Sequence, residues 1–185
     1  MLIAALMLWF APRANPGTNS PDDSRVEAQF LLNFAKFIDW PEKSFASPQS
    51  HFIVCVVGHD PFGRALDQDM LHRMINNRAI EIVRYPRTAT LLTNVSCQIA
   101  FLSASESQHF EDIIRFFDRQ STLLVADTDG FAELGGTIEF HLKENRVRFA
   151  INPEAADRAD LKVSSKLLAV AQIVHDDPGK REKAK

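Results

Sequence analysis

Apolar residues recur at helical spacing in the first strongly patterned segment of the chain. Val26, Phe30, Phe34 and Phe37 follow one another at intervals of three or four residues. This spacing predicts a helix with one apolar stripe. Further apolar residues widen the stripe and indicate burial on most sides of the helix: Leu31, Leu32, Ala35 and Ile38. Ser24 and Glu27 have the spacing of a capping box at the helix start, and Pro41 ends the helix.

A different pattern, continuous apolar and β-branched runs, follows the first helix. Such a run over residues 52–57 is typical of a central parallel strand that is buried on both faces. Further strands are predicted over 79–84, 97–102 and 122–126. Segments with helical patterns separate them, at 60–73 and 105–119, with a turn or short helix at 88–94. The alternation of strands and helices predicts an α/β sheet with helices on both faces.

The pattern changes again in the last third of the chain. Residues 137–142 and 146–151 each alternate between apolar and polar positions, which predicts an antiparallel hairpin. A short helix is expected from Asn152, and a final helix from Ser164 or Ser165 to about Val174. The predicted fold is therefore a single-domain α/β three-layer sandwich, with a mostly parallel sheet and a C-terminal antiparallel hairpin.

The N-terminal run of nine apolar residues bears on the compartment. Residues 2–10 are too few to span a bilayer, which takes about 20 residues, but they match the hydrophobic region of a signal peptide. The alternative is a buried N-terminal strand or helix. We expect a signal peptide and linker over 1–21, the folded domain over 22–176 and a polar disordered tail over 177–185, so the protein should be exported.

Composition excludes several classes of function. The net charge of −3 provides no basic footprint for nucleic acid. Fourteen Phe against one Tyr indicate a Phe-rich core, because Phe has no polar group to expose. The two cysteines, Cys55 and Cys97, would form a disulfide in an exported protein and remain buried thiols in the cytosol. They and the six His lack metal-binding spacing, so neither a metal nor a cofactor is predicted.

Short polar motifs follow two of the predicted strands and are candidate binding sites. The segment Val57-Gly-His-Asp-Pro-Phe-Gly63 lacks the phosphate-binding glycine patterns and predicts a structural turn. Asp127-Thr-Asp129-Gly130 lacks the later ligands of a calcium loop, which again favours a turn. Asp127 still follows a strand where open α/β sheets place ligands. Because no nucleophile–base pair is recognisable, we predict that the protein is not an enzyme.

Six segments in order resemble one family, the YfiR-like periplasmic proteins. Each is weak alone, but their order over roughly residues 25–174 is specific. They are Phe30-Leu-Leu-Asn-Phe-Ala-Lys-Phe-Ile-Asp-Trp-Pro41, Val54-Cys-Val-Val-Gly-His-Asp-Pro-Phe-Gly63, Cys97-Gln-Ile-Ala-Phe101, Gly135-Gly-Thr-Ile138, Phe149-Ala-Ile-Asn152 and Leu161-Lys-Val-Ser-Ser-Lys-Leu-Leu168.

The resemblance implies a periplasmic protein without enzymatic activity. The founding member represses a membrane diguanylate cyclase by binding its periplasmic domain, and an OmpA-like outer-membrane lipoprotein relieves the repression. The same partners are therefore expected here, and a homodimer stays open. The resemblance also pairs Cys55 with Cys97. The additional cysteines that form a second disulfide in family relatives are missing from this chain.

Two functional hypotheses result. The first is a regulator of cyclic-di-GMP signalling, with a partner surface around Phe131, Ile138, Arg146 and Arg148. A Phe in a Gly-rich turn is costly to expose unless a partner covers it, although Phe131 could instead cap the core. The second hypothesis is a periplasmic small-molecule-binding sensor or carrier that uses the sheet edge at Asp127.

Overall fold

A computed structural model describes residues 21–87, 96–177 and Gly179. Its α-helices are α1 (Pro21–Phe37), α2 (Arg64–Met70), α3 (Phe110–Phe116), α4 (Phe131–Leu134), α5 (Pro153–Arg158) and α6 (Ser165–Leu168). Its strands are β1 (Ile38–Asp39), β2 (Phe52–Val57), β3 (Met74–Ile75), β4 (Arg78–Tyr85), β5 (Ile99–Leu102), β6 (Leu123–Ala126), β7 (Ile138–Lys143), β8 (Arg146–Ile151), β9 (Lys162–Val163) and β10 (Gln172–Ile173). Within the described ranges, no helix is long and apolar enough to cross a bilayer.

Eight strands form one sheet in the order β10-β8-β7-β6-β5-β2-β4-β3. Five neighbouring strands of this sheet are mutually parallel, namely β7, β6, β5, β2 and β4. Strands β7 and β8 form the antiparallel hairpin. Helices lie on both faces, since one core cluster joins the sheet to α1 and α2 and the other joins it to α3 and α4. The predicted fold class is confirmed.

Helix α1 forms the centre of the larger core. Its Phe34 is fully buried and lies 5.6 Å from the ring of Phe140 and 5.1 Å from that of Phe149, measured between centroids. Phe30 packs beside it at 5.9 Å. These ring contacts pack α1 against the hairpin strands β7 and β8. The expected burial on most sides holds for the middle of the helix, whereas Val26 is 41% exposed and Phe37 is 39% exposed.

The starts of two helices differ from the prediction. Helix α1 begins at Pro21, within the expected linker, so Ser24 and Glu27 lie inside the helix and do not cap it. Helix α2 begins at Arg64 after Gly63, and Asp60 does not act as its N-cap. The Asp60 carboxylate instead accepts hydrogen bonds from the backbone N–H groups of Phe62 and Gly63, at 2.8 and 3.2 Å, which closes a turn ahead of the helix.

The prediction that the final helix continues to about Val174 is also wrong, because the helix ends after its first turn. Helix α6 ends at Leu168, and β10 then pairs in parallel with the end of β8. The backbone N–H of Val174 donates to the carbonyl of Ile151 at 3.0 Å. Sheet pairing at the open edge of β8 therefore replaces the helical hydrogen bonds.

The helix expected over 105–119 is a 3₁₀ helix over Ala104–His109 followed by α3. The turn predicted over 88–94 lies outside the described residues.

Candidate functional site

The carboxyl edge of the parallel sheet is the first place to look for a ligand. Strands β2 and β5 are neighbours whose following helices lie on opposite faces, so this edge has the switch point at which open α/β sheets bind ligands. Here the Ser105 hydroxyl occupies the switch point and accepts from the backbone N–H of His59 at 3.0 Å. Gly58 allows this approach, because a Cβ there would lie 2.4 Å from Ser105 Oγ. The edge between β2 and β5 is therefore filled by the protein's own groups.

A charged network completes the turn after β2. The Arg84 side chain contacts Asp60 at 2.7 Å and Asp67 at 2.8 Å, and it also donates to the carbonyl of Gly63 at 3.1 Å. These contacts link β4 to the turn and to α2. The prediction that this segment is a structural turn agrees with the geometry.

Further along the same edge, the charge of one carboxyl group affects the pKa of another. Asp127, directly after β6, accepts from the backbone N–H of Ala104 at 3.1 Å, and burial raises its pKa. Glu27 on α1 is 2% exposed. Burial first, and then the charges of Asp127 and Asp23, raise the pKa of Glu27 to about 8. Glu27 is therefore mostly protonated at neutral pH.

Sequence reasoning missed Glu27 and left Asp127 without a partner. One signal was present: Glu27 precedes Leu31, Phe34 and Ile38 on the apolar stripe, at helical intervals. A carboxylate on a stripe that packs against a sheet is expected to be buried. The local match to a capping box concealed this signal.

The predicted turn at Asp129 and Gly130 is present. Gly130 has a φ of +85° and precedes α4, and the buried Glu139 carboxylate on β7 accepts from the backbone N–H of Ala132 at 3.0 Å. Burial raises the pKa of Glu139. In the part of the chain that the structure describes, no cluster of three or more His, Cys, Asp or Glu residues could hold a metal ion.

Two of the four residues predicted to contact a partner are inaccessible. Phe131 is 1% exposed and Ile138 is fully buried. The Phe131 ring packs 4.9 Å from Phe110 and lies against Gly136, where a Cβ would be 2.1 Å from the ring. The glycine thus makes room for the ring in the core. Of the two alternatives for Phe131, the structure shows the core position, so neither residue can contribute to a partner surface in this conformation.

The other two residues, Arg146 and Arg148, are exposed on β8 and share a sheet face with two residues of β7. The β7–β8 register places Lys143 opposite Arg146 and His141 opposite Arg148. We call these four residues the basic hairpin face. Among the described residues, Lys143, Arg146 and Arg148 form no ion pair. Because like charges directly opposite one another destabilise a sheet, this face is suited to an acidic counterpart.

The disulfide implied by the family resemblance is present. Cys55 on β2 is bonded to Cys97, which precedes β5, with 5.9 Å between their Cα atoms. Both residues are buried beneath α3, in the smaller core. The bond joins two cysteines that are 42 residues apart in sequence, and so it links β2 to the segment just before β5.

We therefore expect protein purified without reductant to contain no free thiol, because the chain has only these two cysteines and both are in the bond. Alkylation under denaturing, non-reducing conditions followed by mass spectrometry should leave Cys55 and Cys97 unmodified. The same treatment after reduction should add two labels and serves as the control. Two labels without prior reduction would contradict the prediction.

Solved structures provide the first comparison. A Streptococcus pneumoniae protein, described as the ABC domain in complex with L-Trp, superposes with a TM-score of 0.51 at 8% identity, covering 82% of this chain and 60% of that one. A conserved domain protein of Vibrio cholerae gives 0.49 at 11% identity, with coverages of 79% and 59%. This chain thus spans only about 60% of their length. At such low identity the first similarity concerns the fold alone.

Sequence comparison is more specific. No curated protein matches the chain at a significant level. A sequence profile of the YfiR/HmsC-like family, however, matches residues 24–172. This range extends from α1 to the start of β10 and includes all of strands β1 to β9. The chain therefore belongs to the YfiR/HmsC-like family.

Proposed function

We propose that this protein is a periplasmic, non-enzymatic regulator that binds and represses a membrane diguanylate cyclase in cyclic-di-GMP signalling. The observation that carries the proposal is the family match over residues 24–172. The YfiR/HmsC-like family is regulatory and non-catalytic. The periplasmic domain of the cyclase is the proposed direct partner, and an OmpA-like outer-membrane lipoprotein is proposed to relieve the repression.

The closed switch point favours a protein partner over a small molecule. Ser105 fills the position between β2 and β5 where a ligand would enter, and the glycine at 58 is needed to accommodate it. Repression would then operate through a surface. A surface partner can repress only if it binds the inactive conformation of the cyclase more tightly than the active one.

The basic hairpin face is the surface that we propose for this contact. Lys143, Arg146 and Arg148 project from a short, well-packed hairpin, whose other face is held by Phe140 and Phe149 against α1. The rigid support lowers the entropy lost on binding. Arginine can bind carboxylates in bidentate geometry, so the complementary surface on the cyclase should be acidic.

Charge reversal on this face should therefore abolish repression. Arg146→Glu and Arg148→Glu should each raise cellular cyclic-di-GMP toward the level of a deletion strain, while their far-UV circular dichroism and unfolding midpoints remain those of wild type. Both side chains are exposed and unpaired among the described residues, so folding should tolerate the change. Arg115→Glu, which reverses the charge of an exposed side chain on α3, is the matched control and should repress normally.

Three results separate the alternatives. If the Arg146 and Arg148 variants repress like wild type, the proposed surface is wrong but the function stands. If Arg115→Glu also loses repression, the effect is one of overall charge. If deletion of the gene leaves cyclic-di-GMP unchanged, the regulator proposal fails, and a periplasmic small-molecule sensor or carrier at the Asp127 edge becomes the leading hypothesis.

A further inference from the structure

An open groove with a volume of about 530 Å³ lies at the β4 edge of the large sheet. Ile80 and Ile82 of β4 line it, together with the end of α2 and residues 71–74, which lead into β3. We call it the β4 groove. Strands β4 and β8 lie toward opposite ends of the eight-strand order, so this groove is separate from the basic hairpin face.

Apolar side chains of the β4 groove are open to solvent. Leu71 is 64% exposed and Met74 is 57% exposed, and Ile80 and Ile82 are partly exposed. Apolar residues scattered singly over a surface need no explanation, whereas exposed apolar residues that share one groove mark an interaction site. The groove therefore suits a ligand with apolar groups.

The same edge has backbone groups that face no strand. The carbonyl of Tyr85 accepts from the backbone N–H of Gly58, just after β2, at 2.8 Å, so the backbone groups of Tyr85 point toward β2. Since this direction alternates along a strand, the N–H and C=O groups of Ile80 and Ile82 point away from β2. On that side β3 pairs only with the first two residues of β4, and no strand within the described ranges covers Ile80 or Ile82.

Open backbone groups beside an apolar groove match one kind of ligand. A peptide in extended conformation adds to a sheet edge through main-chain hydrogen bonds and places alternate side chains in neighbouring pockets. The part of β4 beyond its pairing with β3, residues 80–85, is about 20 Å long at 3.3 Å per residue. A small molecule does not provide donors and acceptors at the regular spacing of a strand.

The charge of the groove selects among such peptides. Arg73 and His72 line it and are exposed, and neither forms an ion pair among the described residues. The carboxylate of its described lining, Asp67, is paired with Arg84 at 2.8 Å. The unbalanced charge is therefore positive, and an acidic residue of the peptide would complement it. A second copy of this chain fits less well, because a two-fold contact would set the same positive groove against itself.

We propose that the β4 groove binds an extended, acidic peptide segment of a partner protein, which adds to the sheet beside β4. The main chain of the segment forms hydrogen bonds with the backbone of Ile80 and Ile82. Its apolar side chains, at alternate positions, pack on these two residues and on Met74. A carboxylate of the segment binds Arg73. The site does not depend on the proposed repression of a cyclase, which uses another surface.

Peptide display on the purified protein tests the proposal, with a library of random heptapeptides as the probe. The selected peptides should share apolar residues at alternate positions and at least one Asp or Glu. A synthetic peptide with the shared sequence should bind one to one in calorimetry. The same peptide with N-methylated backbone amides should not bind, because it cannot donate main-chain hydrogen bonds to β4.

Hydrogen exchange locates the bound peptide. Measured by NMR, the amides of Ile80 and Ile82 should exchange rapidly in the free protein and slowly in the presence of the synthetic peptide. The amide of Val56 in the central strand β2 should be protected in both states and serves as the reference.

Variants of the groove test its chemistry. Met74→Glu should weaken binding by at least about tenfold, since it removes an apolar contact and adds a negative charge. Arg73→Glu should shift the selected peptides from acidic to basic sequences. Val170→Glu is the matched control for Met74→Glu, because Val170 is 71% exposed and precedes β10 at the other edge of the sheet. It should bind the peptide like wild type.

Three results would overturn the proposal. The first is a selection without a shared sequence, and the second is equal binding by wild type and by the Met74 and Arg73 variants. The third is protection of the Ile80 and Ile82 amides in the free protein. Protection that increases with protein concentration would assign the groove to a second copy, and protection independent of concentration would assign it to another segment of the same chain.

Discussion

The free energy of unfolding of this protein should fall as the pH rises from about 5 to about 8. The cause is Glu27, whose pKa in the folded protein is raised from 4.5 to about 8, mainly by burial and next by Asp127. Between these two values the folded state holds a proton on Glu27 that the unfolded state has lost. Stability therefore decreases with rising pH across this interval and levels off above it.

The total decrease in the free energy of unfolding is at most about 5 kcal/mol, because each pKa unit by which the Glu27 carboxyl is shifted corresponds to about 1.4 kcal/mol. Urea unfolding midpoints measured at several pH values from 5 to 9 would show it. The variant Glu27→Gln should have a nearly flat profile over this range and should be more stable than wild type above pH 8, since the amide is neutral at every pH. Asp127 and Glu139 have raised pKa values for the same physical reason and should add smaller slopes at lower pH.

Glu144→Gln is the control, because Glu144 is exposed at the hairpin tip. Its profile should run parallel to that of wild type. A wild-type profile without a decrease between pH 5 and 8 would mean that Glu27 is solvated in the folded protein.

The second large effect is expected from Phe34→Ala, which should cost roughly 3–5 kcal/mol of stability. Phe34 is fully buried, and its ring contacts those of Phe30, Phe140 and Phe149, with centroids 5.1 to 5.9 Å away. Removing it leaves a cavity between α1 and the hairpin, where neighbouring rings cannot close in without disrupting their own packing. Denaturant unfolding measures the loss directly.

Phe37→Ala is a matched control on the same helix. Phe37 is 39% exposed, so its loss should cost less than about 1 kcal/mol. If both variants unfolded at the wild-type midpoint, α1 would not be packed on the hairpin as described. If the Phe37 variant were the more damaging one, the helix would be rotated about its axis.

The candidate surface was only partly predictable from the sequence. Arg146 and Arg148 could be placed on an exposed face, because they alternate with Val147 and Phe149 on a strand with one buried side. Phe131 could not be placed, because a Gly-rich turn is compatible with either an exposed or a buried ring. The choice depends on two tertiary contacts, because the Phe131 ring packs against Phe110 of α3 and occupies the space that Gly136 leaves without a Cβ.

The sequence by itself determined the elements whose hydrogen bonds and burial follow a local rule. The run at 52–57 forms a strand with those bounds, and the alternation on both sides of residues 144 and 145 forms the hairpin. Tertiary structure decided two features: the burial of Glu27 and the conversion of residues 172–173 into an edge strand. Each depends on groups that are distant in sequence. Such contacts outweigh local preference, because burial and strand pairing contribute more free energy than the intrinsic helix or strand propensity of single residues.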